Sequence, residues 1–273
     1  MIQPLPYPPA WRRTCQRYLY LFNGFKTWGK FLLWKTRTNT YAEVTMKTRR
    51  GLVLRVPISL RFPFKDIFLH RAYAPRLLLE RIPATPTVID LGANVGFFSL
   101  FAFHVRPGAT CFSFEPMPEN FSLLEEHQRM QGDLPWHIYH QAVSSKSGTA
   151  SLLCPKKAGP TTTASLVSDD CKKGQRTVEV RVRTLQDILE QETGGFCDWL
   201  KIDVEGSEYD ILYALPAQKY RNIRTLAVES DPVDAKTKNR MALARFLEQM
   251  DFDVFLADDA ILYAFNRSYR ACP

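Results

Sequence analysis

The chain has 273 residues, 45% hydrophobic and 23% charged, which suits one α/β domain with an N-terminal extension and a sizeable core. Cys15, Cys111, Cys154, Cys171, Cys197 and Cys272 form no C-x-x-C pair, and no apolar run approaches the ~18 residues of a membrane span. These features argue against a zinc or disulfide framework and against a signal peptide, and they point to a reducing, cytoplasmic setting.

The net charge of +8 is unevenly placed: the first 87 residues hold 16 Lys and Arg against 3 Asp and Glu, the remainder 20 against 25. Basicity therefore belongs to the leading segment. The mildly acidic body suits neither a nucleic-acid groove nor a polyphosphate site. Residues 1–40 form a basic aromatic arm. Within it Tyr18, Leu21, Phe22, Phe25, Trp28 and Leu32 recur at helical spacing, flanked by Arg12, Arg13, Arg17, Lys26 and Lys30. Gly24 and Gly29 weaken a continuous helix. Such an arm either packs its aromatic stripe on the main domain or makes peripheral contact with an anionic membrane.

Residues 41–86 lead into the core. Thr40–Lys47 and Leu52–Pro57 read as a β-hairpin, and Tyr73–Ile82 as a helix ended by Pro83. Residues 87–273 then alternate strands and helices. Strands are expected at Thr87–Leu91, Thr110–Phe114, His137–Ser144, Asp198–Val204 and Arg224–Glu229. Helices are expected over Phe97–His104, Pro116–Met130, Thr184–Glu192, Ser207–Leu215 and Ala235–Met250. Thr149–Cys154 and Thr177–Arg183 alternate with period two and are expected to pair, joined by a Lys/Gly/Ser/Thr-rich loop long enough to be a binding loop or disordered. Phe252–Leu256 and Ile261–Phe265 read as a terminal hairpin. The pattern predicts a doubly wound, mainly parallel α/β sheet with an antiparallel C-terminal hairpin.

The stretch VIDLGANVGFFSL, from Val88 to Leu100, is strand, glycine-rich turn and helix. A dinucleotide fingerprint would need glycine where this chain has Asn94 and Phe97, so the pyrophosphate reading is weak. Glu115 ends the next strand 23 positions after Gly92, near the ~20 expected of a ribose-binding acid. Asp90, Gly92, Asn94, Gly96 and Glu115 together fit a nucleoside without phosphates, of which S-adenosylmethionine is the common example. Singly, the glycines could serve only helix packing, and Glu115 could be a helix-start acid.

VIDLGANVGFFSL, SFEPMPENF, VRTLQDIL and DWLKIDVEGSEYDIL, in this order, resemble the FkbM-type family of S-adenosylmethionine-dependent methyltransferases. The KIDVEGSE run at 201–208 is the most specific of these motifs, and residues 1–40 lie outside the pattern. The resemblance implies a class I methyltransferase-like fold. It implies cofactor contacts at Asp90, Gly92, Asn94, Gly96 and Glu115, and a hydroxyl acceptor on a sugar, glycan or natural product.

Methyl transfer to an alcohol needs alignment and a place for the acceptor proton. Ligands of open α/β sheets sit beyond the carboxyl ends of the strands. That location selects Asp203 as proton acceptor or acceptor-positioning group, with Glu205 and Glu229 shaping the pocket. Glu205 could equally be a helix N-terminal acid, and Lys201, one alternation from Asp203, could pair with it or anchor the strand. A divalent metal is not expected, although Asp203, Glu229 and Asp231 could hold one. His140 could face the cofactor. The competing functions are a membrane- or partner-binding protein that retains the fold, and a nucleotide-dependent oxidoreductase.

Overall fold

Apolar side chains on both faces of the central strands decide the architecture. Val88 and Trp199 are buried against one layer, and Ile89, Leu91 and Leu200 against the other. Strands covered on both sides are apolar almost throughout, as here. The computed structural model describes residues 2–5, 9–36, 42–155, 160, 165–166, 175–204, 206–230, 232–257 and 260–269.

The arm begins with the short strand β1 (Gln3–Pro4) and helices α1 (Ala10–Gly24) and α2 (Trp28–Thr36). The hairpin β2 (Glu43–Lys47) and β3 (Val53–Pro57) follows. A helical run then comprises a 3-10 turn, α3 (Arg61–Phe64) and a π-helical turn over Lys65–His70, and the single turn α4 (Arg76–Leu79) comes after it. The core alternates β4 (Thr87–Leu91), α5 (Phe97–Val105), β5 (Thr110–Phe114), α6 (Pro118–Met130) and β6 (Trp136–Tyr139). Next come β7 (Ala142–Val143), β8 (Gly148–Pro155), β9 (Ser165–Leu166), β10 (Gln175–Arg183) and α7 (Leu185–Gln191). The chain closes with β11 (Cys197–Ile202), α8 (Glu208–Ala214), β12 (Ile223–Glu229), α9 (Arg240–Gln249), β13 (Phe252–Leu256) and β14 (Ile261–Asn266).

The main sheet runs β1-β13-β14-β12-β11-β4-β5-β6. Its inner strands are parallel, and β14 lies antiparallel to both β12 and β13. This is the doubly wound, mainly parallel sheet with an antiparallel terminal hairpin that the strand and helix pattern predicts, and its order agrees with the class I methyltransferase-like fold that the resemblance implies. α7, α8 and α9 cover one face, while α5, the hairpin and the arm cover the other. The arm's Leu21, Phe25, Phe31 and Trp34 belong to the same buried cluster as Val88 and Phe101. β8 and β10 pair antiparallel in a separate sheet, as their alternation predicts.

Three expectations need correction. The strand expected over His137–Ser144 is two strands, because the chain leaves the main sheet at His140 and β7 pairs with β10 instead. The helix expected over Tyr73–Ile82 shrinks to α4. Arg71 adopts the left-handed conformation (φ 57°), and the residues up to Pro75 are non-helical. The helix expected from Ala235 starts at Arg240, because the Asp234 carboxylate accepts the backbone N–H groups of Lys236, Thr237 and Lys238 and holds them in a turn. The arm is two helices, broken where Phe25 leaves the helix in an extended conformation. Most of the loop expected between Cys154 and Arg176 lies outside the described residues.

Trp34 is 2% exposed within the shared core. Trp34→Ala is expected to destabilise the whole protein by about 3–5 kcal/mol, the usual cost of truncating a buried aromatic. Urea unfolding checks this, and an unchanged midpoint would mean that the arm folds apart from the domain.

Candidate functional site

The glycine turn is shaped by its protein neighbours. Gly92 has φ 72°, and a Cβ there would stand 1.7 Å from the carbonyl oxygen of Asp203. Gly96 has φ 83°, and its Cβ would meet Leu124 and the Trp136 ring at 2.6 Å. Gly92 thus lets the turn lie against the end of β11, and Gly96 lets α5 start against α6 and β6. The backbone N–H groups of Gly92 and Ala93 donate to Phe114 O at 3.0 and 2.9 Å. Asn94, also left-handed at φ 52°, accepts the Val95 N–H on its own side chain.

Beneath the turn lies a buried polar chain. The Trp136 indole N–H donates to Ser113 Oγ (2.7 Å), which lies 2.8 Å from Ser99 Oγ, and Ser99 donates to Asp90 Oδ2 (2.8 Å). Lys201 faces Asp90 across the β4–β11 register. Its Nζ stands 3.2 Å from Asp90 Oδ1 and 3.4 Å from Asp203 Oδ2, and donates to Gly92 O at 2.7 Å. Burial works against the lysine's charge, but Asp90 and Asp203 outweigh it and raise its pKa above that of a free lysine. Burial raises the Asp90 carboxyl, opposed by Lys201 and Ser99.

Glu115 is buried beyond β5. Its Oε2 accepts the Asn94 N–H at 2.7 Å, and its Oε1 accepts the Met117 N–H at 2.9 Å. Burial pushes its carboxyl up to about 7, although Met117, Asn94 and Asn120 pull the other way. Across the cleft, the Tyr73 hydroxyl lies 2.9 Å from Asp203 Oδ2 and 2.5 Å from Glu229 Oε2. Burial, then the two carboxylates, lift the phenol well above its ordinary pKa, so Tyr73 keeps its proton.

A cleft of about 670 Å³ opens between these groups, within the range of small-molecule sites. Gly92, Asn94, Glu115, Lys201, Asp203 and Glu229 all line it, as does Tyr73. Asp90 is fully buried and Gly96 sits against α6, so these two support the cleft from behind. His140 turns away: it stacks on Phe121 and contacts Pro116 O. Glu205 and Asp231 lie outside the described residues. Glu208 is a first-turn acid that accepts the Gly206 N–H. Among the described residues no group of three or more His, Cys, Asp or Glu is arranged to hold a metal ion. Nor, among them, is any helix long and apolar enough to cross a membrane.

Sequence reasoning missed Tyr73, whose only local signal is its place between small residues just before Pro75. It left the direction of Lys201 open, and the strand register decides that it points to Asp90 and Asp203.

The Methyltransferase FkbM domain family matches residues 90–258, which include most of the sheet and Glu115, Lys201, Asp203 and Glu229 of the cleft. The chain belongs to the FkbM methyltransferase family. Methyltransferase sdnD of Sordaria araneosa is 26% identical over 224 residues, covering 72% of this chain and 83% of that one. The 31-O-demethyl-FK506 methyltransferase FkbM of Streptomyces tacrolimicus is 27% identical over 210 residues, covering 68% of this chain and 80% of the relative. Among solved structures, methyltransferase FkbM from Methylobacillus flagellatus KT aligns with a TM-score of 0.48 and 14% identity, over 76% of this chain and 54% of that one. The oxidoreductase reading gains nothing from these matches.

Lys201→Met removes the cation but leaves the Asp90 carboxylate buried. A loss of about 3–5 kcal/mol at neutral pH is expected, as for a broken buried pair. The gap from wild type should narrow as the pH falls toward 4, because a protonated Asp90 no longer needs the lysine. Urea melts at both pH values check this, and a pH-independent gap would assign the loss to packing alone.

Proposed function

We propose that this FkbM-family protein is an S-adenosylmethionine-dependent O-methyltransferase acting on a hydroxyl of a sugar, glycan or natural product. The observation that carries the reading is that one cleft joins the glycine turn and Glu115 to the Tyr73–Asp203–Glu229 cluster. The name of the 31-O-demethyl-FK506 relative supports an oxygen acceptor.

The residues present fit the methyl donor. The two Glu115 oxygens are oriented by N–H donors and retain lone pairs for ribose hydroxyls. Gln141 Oε1, on the cleft wall, is buried without a hydrogen-bond partner among the described residues and suits an adenine amine. Carboxylates at Glu115, Asp203 and Glu229 favour a cationic ligand. The bound donor would supply an electrophilic methyl on a sulfonium, so the protein needs no nucleophile of its own.

On the acceptor side, Asp203 takes the proton of the attacking hydroxyl. Tyr73 has one phenolic proton and two carboxylates within reach, so it satisfies one while the other stays open to the acceptor. Glu229 and Tyr73 position the hydroxyl, and Lys201 holds Asp203 in place.

Asp203→Asn is expected to lower methyl transfer by about 10²–10⁴, the usual cost of a lost general base. Its affinity for S-adenosylmethionine, measured by calorimetry, should change little, because Glu115 and the glycine turn remain. Chelation with EDTA should leave the wild type active, whereas silencing by EDTA would point to a metal at Asp203 and Glu229. A fully active Asn variant would show that the acceptor loses its proton elsewhere.

Glu115→Ala should weaken S-adenosylmethionine binding by about 1.5–3 kcal/mol, the range for hydrogen bonds to a charged group. Hydroxyls donate to the ionised carboxylate, so affinity should rise with pH through about 7 in the wild type and stay flat in Glu115→Gln. The same pH slope in both proteins would remove Glu115 from donor recognition.

A further inference from the structure

A second cleft, of about 620 Å³, lies between α1 and the segment 69–77. It shares His70 and Ala72 with the first cleft, so the two meet at the short segment that carries Tyr73. Arg13, Arg17, Arg71 and Arg76 line it, with no Asp or Glu among the described lining residues. Such a concentration of one sign in a concave site focuses its field on a ligand of the other sign.

The arginines are not equivalent. Arg76 points outward and pairs with Glu80. Arg17 contacts His70 Nε2 and donates to Thr14 Oγ1, both at 3.3 Å, long contacts that an anion could replace, and His70 Nδ1 in turn lies 2.9 Å from Asp66 Oδ1. Arg71 is the unusual one. It sits half-buried in the left-handed conformation, with its guanidinium 3.7 Å from the centre of the Tyr20 ring. Among the described residues its Nε is buried without a hydrogen-bond partner, and no carboxylate forms an ion pair with it. Burial lowers its pKa, so its charge is held at a cost. A partly desolvated guanidinium without a carboxylate partner is costly, and an anion in the cleft that Arg71 lines would offset its charge.

We propose that this second cleft binds the phosphate group of an anionic ligand, with Arg71 and Arg17 as its principal contacts and Arg13 alongside. A phosphate carries more charge and more acceptor oxygens than a carboxylate, so it can accept from several guanidinium groups at once. The same chemistry is offered by a soluble phosphate ester and by a phospholipid headgroup. Trp11 and Leu19, 63% and 54% exposed on α1, give the lipid source an apolar neighbour. This site is additional to the methyl-transfer cleft and does not rest on the function proposed for it.

The test uses the full chain. Calorimetry with inorganic phosphate, against chloride at equal ionic strength, is run beside flotation with phosphatidylcholine vesicles with and without phosphatidylglycerol. Each is repeated on Arg71→Gln and on the double variant Arg13→Gln/Arg17→Gln, whose changes lie in the half-exposed part of α1 and keep the test open if Arg71→Gln does not fold. Thermal melts and far-UV circular dichroism verify that each variant is folded. Binding of either probe by the wild type, weakened about tenfold or more in the folded variants, supports the site. Phosphate binding then identifies a soluble ester, and binding only to phosphatidylglycerol vesicles a headgroup. Absence of binding to both probes, or binding that the folded variants retain unchanged, overturns it.

Discussion

The buried pair of Asp90 and Lys201 is the constraint on which the site depends. Neither charge has water to solvate it, so each requires the other and supporting hydrogen bonds. Meeting that requirement fixes several elements at once. Lys201 ties β11 to the end of β4 and to the Gly92 carbonyl, and its remaining reach falls on Asp203. Asp90 is held from the other side by Ser99 of α5, which connects through Ser113 to Trp136 of β6. One continuous polar chain therefore crosses five neighbouring elements, β11, β4, α5, β5 and β6, just under the glycine turn. Asp90 Oδ1 has no hydrogen bond among the described residues and is held by the Lys201 charge alone, so the pair cannot be broken without leaving a bare carboxylate.

The other wall of the cleft comes from segments before the doubly wound core. The helical run and turn at 58–75 deliver Tyr73, and the Tyr263 hydroxyl bonds the Ala72 carbonyl and fastens that turn to the sheet. The β2–β3 hairpin is fastened just as firmly. His127 accepts the Arg55 N–H at Nε2 and lies 2.6 Å from Val95 O at Nδ1, so it bridges hairpin and glycine turn as a neutral imidazole whose pKa burial lowers. Arg55 adds ion pairs to Glu43 and Glu126.

The sequence was most legible where signals are local. Thr87–Leu91 and Thr110–Phe114 are strands at the expected residues, because β-branched and aromatic runs end there at proline, glycine or a carboxylate. Asp203, Glu229 and Glu115 come together as the rule of strand carboxyl ends implies. Legibility failed where partners are remote. The position of Tyr73 depends on a left-handed Arg71 and on contacts with residues more than a hundred positions away, and no local periodicity encodes either. The start of α9 was missed because an Asp234 turn and an Asn239 cap override helical propensity.

The sheet order has a consequence for how the chain assembles. β14 follows every other strand in the chain, yet it sits inside the sheet between β12 and β13. β1, near the beginning, pairs with β13 alone among the described strands. During synthesis β12 would therefore emerge with an open edge, and β1 would wait for a partner some 250 residues later. Until β14 inserts, the nascent chain exposes strand edges that invite pairing with other chains. Loss of residues 261–266 would remove an inner strand rather than trim a border. Such a truncation leaves the glycine turn encoded in full, on a sheet that lacks the strand holding Glu229 in register.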